Sequence, residues 1–547
     1  MPVCLSRAFP FRFLAGFILA AAAAWWPGAT AAAADDVKGP QVEYSAIHAA
    51  SGGVNTYVPG KWGILNLEVT NPLQQPHELL STTYFDGHAT LQFGRRIWLP
   101  ARSRLRIGQP LLSPDLAPEA RDRFEFHSLV LDAAATNVVA ARDDTGQILH
   151  SGILPAQLET PITGLIDHLG ESFLPEVDKS AAYDLAVAAR LSDRKSTRLA
   201  RLEDRNYAPD DVSLQSLHQL VVADSRALDD PAGLAAIRRW VHGGGRLWVM
   251  LDRVDPRFLE RILGDEFLCE VVDRVGLTSV RIEAVAKERF STPVESEHEQ
   301  PVDLVRVVAT GANVTYTVNG WPAALWKPLG AGKILVTTLG PRGWMRLRTA
   351  EDDRSSPTGG RFVLLPPMAE IAKAFLVLPA APLKISQIFE PQTVEYIGYS
   401  IPPRWLIASL LAGVVAAVVV LGLWLLRRGA LEYLGWISSG LAVCVAVALL
   451  VIGGLNRHTI SATAAAVAFT EAIAGTDDVR TRGAVALYNP ESAPGTLGAT
   501  RGGRLSVDMS GLEGTTRRMV WTDLDTFHWE HLALGGGQRV GTFEQSA

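Results

Sequence analysis

Three aspartates, Asp224, Asp252 and Asp255, are the strongest candidates for chemistry in this chain. Asp224 closes the apolar run Leu220-Val221-Val222-Ala223, and Asp252 and Asp255 follow the next such run, Arg246 to Leu251. Short continuous apolar runs read as buried parallel strands, and open α/β sheets bind ligands beyond the carboxyl ends of adjacent strands. Carboxylates placed there suit a cation, a sugar hydroxyl or a partner's arginine. The same residues also suit a plainer role, because an aspartate after a strand caps the helix that follows.

Other chemical signatures are incomplete. Gly330-Ala-Gly-Lys333 has the look of a phosphate loop, but Ile334 stands where a hydroxyl is needed and the glycines precede a strand, so a hairpin turn is expected. Gly243-Gly-Gly245 also precedes a strand and reads as a helix C-cap. Asp224-Ser225 lacks a second serine, His77-Glu78 lacks a histidine four residues on, and His528 and His531 fall on opposite faces of a strand. These spacings predict no metal and no cofactor. Cys269, inside Phe267-Leu-Cys-Glu-Val-Val272, is expected to be a core thiol.

The elements that would hold the aspartates form a β-α-β unit. After Asp224, Asp229 and Asp230 are candidate N-caps, Pro231 suits the first turn, and Leu234, Ile237, Trp240 and Val241 recur on one helical face. The next strand should run parallel to the first through a right-handed crossover. Residues 324–327 and 333–339 read as a later hairpin around the Gly330 turn. The expected fold is multidomain α/β plus all-β with two transmembrane helices. Residues 35–155 read as an immunoglobulin-like β-sandwich, 156–385 as an α/β domain, and 456–547 as a small C-terminal β domain. No capping element is recognisable at Gln545-Ser546-Ala547, which leaves room for a longer natural chain. The arginines Arg95, Arg96, Arg102, Arg104 and Arg106 read as the solvated face of edge strands.

Two uncharged apolar runs, Trp405–Leu426 and Leu434–Leu455, each satisfy the roughly 20 residues a membrane helix needs. The short loop between them carries Arg427 and Arg428, and Ser409, Gly413 and Ala417 in the first run, with Gly435 and Ser439 or Ala442 and Ala446 in the second, are expected to form a small-residue interface. Residues 1–34 have Arg7 and Arg12, an apolar stretch from Phe13 to Trp26, Pro27-Gly28 and then small residues, the pattern of a secretory signal. Both long flanks are therefore expected on the extracytoplasmic side of a bacterial inner membrane, with the arginine loop inside.

Composition agrees with exported domains. The chain has 547 residues, 48% hydrophobic and 20% charged, which is material for several cores. A net charge of −6 offers no basic field, so nucleic acid is excluded as a partner. Of the 3 cysteines, Cys4 lies in the signal and Cys444 in a membrane run, so no disulfide framework is expected.

Leu217-His-Gln-Leu-Val-Val-Ala-Asp224, Leu234 to Leu251 and Gly330-Ala-Gly-Lys-Ile-Leu-Val-Thr-Thr338 together resemble the exported glutamine-amidotransferase-like domain of uncharacterised bacterial membrane proteins. The resemblance implies a flavodoxin-like, amidotransferase-like α/β domain over residues 156–385 followed by membrane helices, and association with MoxR-type ATPases and von Willebrand-type membrane proteins. It does not imply catalysis, because the chain has no Gly-x-Cys-x-Gly elbow at Leu251-Asp252-Arg253-Val254-Asp255-Pro256. The expectation is a non-catalytic scaffold that binds other envelope proteins. An envelope hydrolase using the crest aspartates and a carbohydrate-binding membrane protein are the alternatives.

Overall fold

Side-chain alternation along five short strands builds the central layer. The strands run parallel in the order Ala200–Arg201, Thr163–Ile166, Gln219–Val222, Arg246–Met250 and Gly332–Thr337, which is 2-1-3-4-5 in chain order. Leu220, Val222, Leu247, Val249, Ile334 and Val336 face helices Pro231–His242 and Arg257–Leu263. Leu165, Val221, Trp248, Met250 and Leu335 face helices Ala181–Ser192 and Pro366–Phe375. Both faces are covered, which is why the strands read as unbroken apolar runs. The computed structural model describes residues 40–43, 57–115, 123–134, 141–143, 146–158, 161–167, 180–202, 213–264, 269–286, 292–355, 360–378, 385–398, 403–473, 477–499, 503–507, 515–522 and 527–546. The signal-like segment, residues 1–34, lies outside the described residues.

The β-α-β unit forms as its sequence dictates. Asp230 accepts a hydrogen bond from Gly233 N (3.0 Å), Pro231 occupies the first turn, and Gly243 ends the helix. The Gly330 turn joins antiparallel strands Trp321–Leu329 and Gly332–Thr337, as expected. Gly332 is required there: a Cβ would lie 2.2 Å from Val241 O and 2.4 Å from Gly245 O, so the turn can rest on the helix end only without a side chain. The sheet continues antiparallel through Asn313–Val318 to a hairpin of two 16-residue strands, Cys269–Ala284 and Val294–Ala309. The sequence reading did not place that hairpin.

The two ends of the chain share one sheet. Strands Ala493–Ala499, Phe527–Leu534, Arg517–Trp521, Leu91–Leu99, His77–Phe85, Arg123–Asp132 and His150–Pro155 lie side by side in that order. Arg517–Trp521 runs parallel to Leu91–Arg95 in continuous register. Met519, Phe527, Trp529 and Leu532 thereby enter the same core as Phe85, Phe93, Phe124 and Phe126, and that core is closed by Leu65 and Leu111 of a second sheet, Ser103–Leu112, Trp62–Asn71, Gln41–Glu43 and Arg142–Asp143. An expectation of two separate β domains gives way to this sharing: part of the C-terminal segment completes the N-terminal sheet. The reason is apolar, since Met519, Phe527 and Trp529 would otherwise be exposed, at roughly 1.5–3 kcal/mol for each large side chain. The remaining C-terminal strands, Thr463–Ala472, Val479–Asn489, Gly537–Ser546 and Arg504–Val507, make their own sheet. Arg238 of the α/β domain reaches it, its Nε 2.7 Å from Asp478 Oδ2.

The arginine cluster is divided among partners. Arg104 and Arg106, on the edge strand Ser103–Leu112, both pair with buried Glu68, whereas Arg96, on an inner strand, pairs with Glu530 at 3.2 Å. Only the first two fit the edge-strand reading.

Helices Arg404–Arg428 and Tyr433–Arg457, of 25 residues each, span about 37 Å at 1.5 Å per residue, enough to cross a bilayer. Leu425 is the one buried side chain of the first helix, and the second has none. Trp405 stands at one end of the hairpin, and Trp424, Tyr433 and Trp436 lie toward the other, all exposed, as interfacial anchors do. The helices meet near their loop, where Leu434 lies 3.6 Å from the Cβ position of Gly422. Gly413, Gly435 and Gly440 have nothing within 4 Å of that position, which corrects the expected interface around Gly413. At the far end Tyr488 OH donates to Arg457 O (2.6 Å), tying the second helix to the C-terminal sheet.

Candidate functional site

The candidate aspartates lie at the carboxyl ends of the third and fourth parallel strands, and their environments differ. Asp224 follows Gln219–Val222 and is spent locally: Oδ1 accepts from Arg226 N (2.8 Å), and Oδ2 pairs with the Arg226 guanidinium at 3.2 Å. Asp255 does the same one turn later, accepting from Arg257 N (2.9 Å) and from its side chain (2.7 Å). The Arg257 guanidinium holds the Asp255 carboxyl below its ordinary range. Ser225 links the two turns, since Asp255 N donates to Ser225 Oγ at 2.8 Å. Both aspartates cap turns, the plainer of the two roles open to them.

Asp252 is different. Its side chain is 4% exposed, and Oδ1 has no hydrogen-bond partner among the described residues. Arg253 Nε stands 3.7 Å from Oδ2, too long for a hydrogen bond. Burial is the largest influence and pushes the carboxyl up to about 7, with nearby Asp303 adding to the rise and Arg253 and Arg274 opposing it. The residue is therefore a neutral or half-ionised acid near neutral pH, able to give or take a proton.

What buries Asp252 is the unforeseen hairpin. Arg274 Nη1 donates to Asp252 O (2.7 Å) and Nη2 to Leu251 O (3.3 Å). Gly340 N donates to Asp303 O (2.7 Å), and the Cβ position of Gly340 lies 3.6 Å from Asp252 Oδ2. Arg274, Asp303 and Gly340 thus complete the surroundings of Asp252, and no local pattern in the sequence links them to it. Among the described residues no cluster of three or more His, Cys, Asp or Glu side chains has the arrangement to hold a metal ion.

Cys269 begins the hairpin and packs, partly buried, against the core beside Val271. Burial raises its thiol to about 11, so almost no thiolate exists at neutral pH. Phe267 and Leu268 lie outside the described residues. His528 Nε2 is 3.0 Å from Glu530 Oε1, a local pair within one strand, and His531 has a left-handed backbone, φ 58°.

No family model matches the chain, and no curated protein matches it. Solved structures match parts of it. A cytoplasmic protein from Salmonella typhimurium LT2 is 16% identical over 33% of this chain and 87% of its own, with a TM-score of 0.25. A CARDB domain from Pyrococcus furiosus, solved with di-metal ions, is 11% identical over 22% of this chain and 93% of its own, with a TM-score of 0.16. A β-glucuronidase from Bacteroides uniformis is 15% identical over 41% of this chain and 25% of its own, with a TM-score of 0.14. Likeness at this level carries no argument about chemistry, and none of it supports an amidotransferase-like domain.

Proposed function

We propose that this chain is a membrane-anchored scaffold of the bacterial cell envelope, with its soluble domains on the extracytoplasmic side of the inner membrane and other envelope proteins as its partners. One observation carries the reading: Arg517–Trp521 completes the sheet that contains Leu91–Arg95. The segments before and after the apolar hairpin then form one body on one side of the bilayer, and the signal-like N-terminus favours the outer side. The 2-1-3-4-5 strand order suits a flavodoxin-like α/β domain. A thiol raised to about 11 and the lack of a strand-helix cysteine elbow favour binding over thioester chemistry. MoxR-type ATPases and von Willebrand-type membrane proteins are the partners that sequence resemblance suggests.

The test is affinity purification of the full chain from detergent-solubilised membranes. Stoichiometric recovery of defined envelope proteins, absent from a control carrying the membrane hairpin alone, is expected. Recovery of the chain by itself, under conditions that preserve known membrane complexes, counts against a scaffold. A second reading, an envelope hydrolase, draws on Asp252, whose carboxyl near 7 suits general acid-base work. It predicts a hydrolytic activity that Asp252→Asn removes.

A further inference from the structure

The two apolar helices carry arginines at the ends away from their loop. Arg404 opens Arg404–Arg428 and Arg457 closes Tyr433–Arg457; both are exposed, and neither side chain has a hydrogen bond or ion pair among the described residues. In the soluble part, by contrast, Arg306, Arg346 and Arg480 are paired with Asp273, Asp352 and Glu544. Beside the unpaired arginines stand two bare aromatic rings, Trp405 at 69% exposure and Tyr396 at 79%. This end is fixed to the soluble body. Tyr488 OH donates to Arg457 O (2.6 Å), and Tyr488 packs with Ile397 and Ile460 in a small core of its own. Ile397 closes helix Ile385–Ile397 directly after Tyr396, so Tyr396 and the end of the second apolar helix are held at the same sheet.

Length sets the depth of these groups. Helices of 25 residues reach about 37 Å, against a hydrocarbon core about 30 Å thick inside a bilayer of about 40–45 Å, so their ends stand within the headgroup layer. The abundant anion at that depth is the lipid phosphodiester. Charge supplies the complement: in residues 395–404 and 457–463 Arg404 and Arg457 stand against one carboxylate, Glu395. A guanidinium matches a phosphate through parallel N–H···O bonds, and its apolar stem can lie along the lipid while the head reaches the phosphate. Tryptophan and tyrosine rings settle at the same level. A zwitterionic lipid brings its own cation beside the phosphate, whereas an anionic lipid leaves that place to the protein.

We propose that Arg404 and Arg457, flanked by Trp405 and Tyr396, bind phospholipid phosphates at the face of the bilayer away from the loop, prefer anionic lipids, and so seat the C-terminal sheet on that face. Such binding rests on the reading that both helices span the membrane. It adds a lipid partner to the protein partners of a scaffold and is independent of any hydrolytic activity.

The test places the full chain in nanodiscs of phosphatidylglycerol and phosphatidylcholine in equal parts and counts, by native mass spectrometry, the lipids that stay bound on release. The wild type should retain phosphatidylglycerol in preference. Arg404→Gln with Arg457→Gln should cut that preference by about fivefold for each arginine, the factor for about 1 kcal/mol per basic side chain at an anionic surface, whatever the loop arginines add. Arg404→Lys with Arg457→Lys, which keeps charge and depth, should hold most of the preference and so separates lost binding from lost folding. Excess inorganic phosphate should displace no lipid; displacement would mark a site for soluble phosphate and overturn the proposal. All three proteins should resist extraction by alkaline carbonate. An unchanged preference in the glutamine variant, with the chain still held in the membrane, would overturn the lipid site alone, whereas release of the wild type by carbonate would overturn the spanning reading beneath it.

Discussion

Trp521 stands opposite Arg95 in a parallel strand pair, although both apolar helices lie between them in the chain. The pair belongs to a sheet whose core mixes residues from both ends, with Phe93 and Phe126 packed among Met519 and Trp529. The C-terminal strands are therefore structural for the N-terminal domain. Trp529 is 2% exposed and its indole N–H donates to Leu505 O at 3.0 Å. Trp529→Ala should destabilise that sheet by about 3–5 kcal/mol, read as earlier proteolysis within residues 77–132 under denaturant. Unaltered protease resistance there would mean that the N-terminal sheet stands without its C-terminal strands.

The two apolar helices give a prediction in two halves. Gly413 faces open space, so Gly413→Leu should leave hairpin packing unchanged in bilayers. Gly422 faces Leu434 at contact distance, so Gly422→Leu should push the helices apart near the loop and lower the amount of folded protein. Cross-linking between introduced cysteines at the loop end, in a Cys269→Ser, Cys444→Ser background, separates the two effects. The reverse ranking would restore an interface centred on Gly413.

Cys269 should be inert. With its thiol raised to about 11, alkylation of the folded protein at pH 8 should be far slower than that of a free thiol and should accelerate only as pH climbs toward 11. The purified chain should release no ammonia from glutamine. Glutamine hydrolysis abolished by Cys269→Ser would show that the thiol is activated after all.

Asp252 makes stability depend on pH with a definite sign. Its carboxyl lies near 7 in the folded chain and near the ordinary aspartate value of 3.8 when unfolded. The folded state thus holds the extra proton between those values, and stability present below about pH 4 is lost as pH rises through about 7. Asp252→Asn removes this dependence. Its stability relative to the wild type should rise by about 2–4 kcal/mol between pH 4 and pH 8, measured by urea unfolding at both pH values. A difference that stays constant with pH would place the carboxyl in water.

Much of this was legible in the residues, and the exceptions have physical causes. The β-α-β unit from Leu220 to Leu251 follows from apolar runs, Asp230, Pro231 and the Gly243 turn, all local signals. The two helices long and apolar enough to cross a membrane follow from length and the absence of charge. The parallel pairing of Arg517–Trp521 with Leu91–Arg95 joins strands more than four hundred residues apart, and nothing in either segment encodes its partner. The hairpin Cys269–Ala309 was hidden for another reason: Glu295, Glu297 and Glu299 alternate with Ser296 and His298, leaving little apolar periodicity to mark a strand. Because that hairpin buries Asp252, the sequence placed three similar aspartates where the structure has two caps and one buried acid.

The central claim, one soluble body on one side of a membrane, is tested most directly by reporter fusions in a bacterial host. Alkaline phosphatase joined after Ala350, and again after the C-terminal Ala547, should be active, whereas a fusion within residues 427–433 should be inactive. Activity only in the loop fusion would invert the topology. Activity on one flank and not the other would contradict the account outright, because Leu91–Arg95 and Arg517–Trp521 could then never meet.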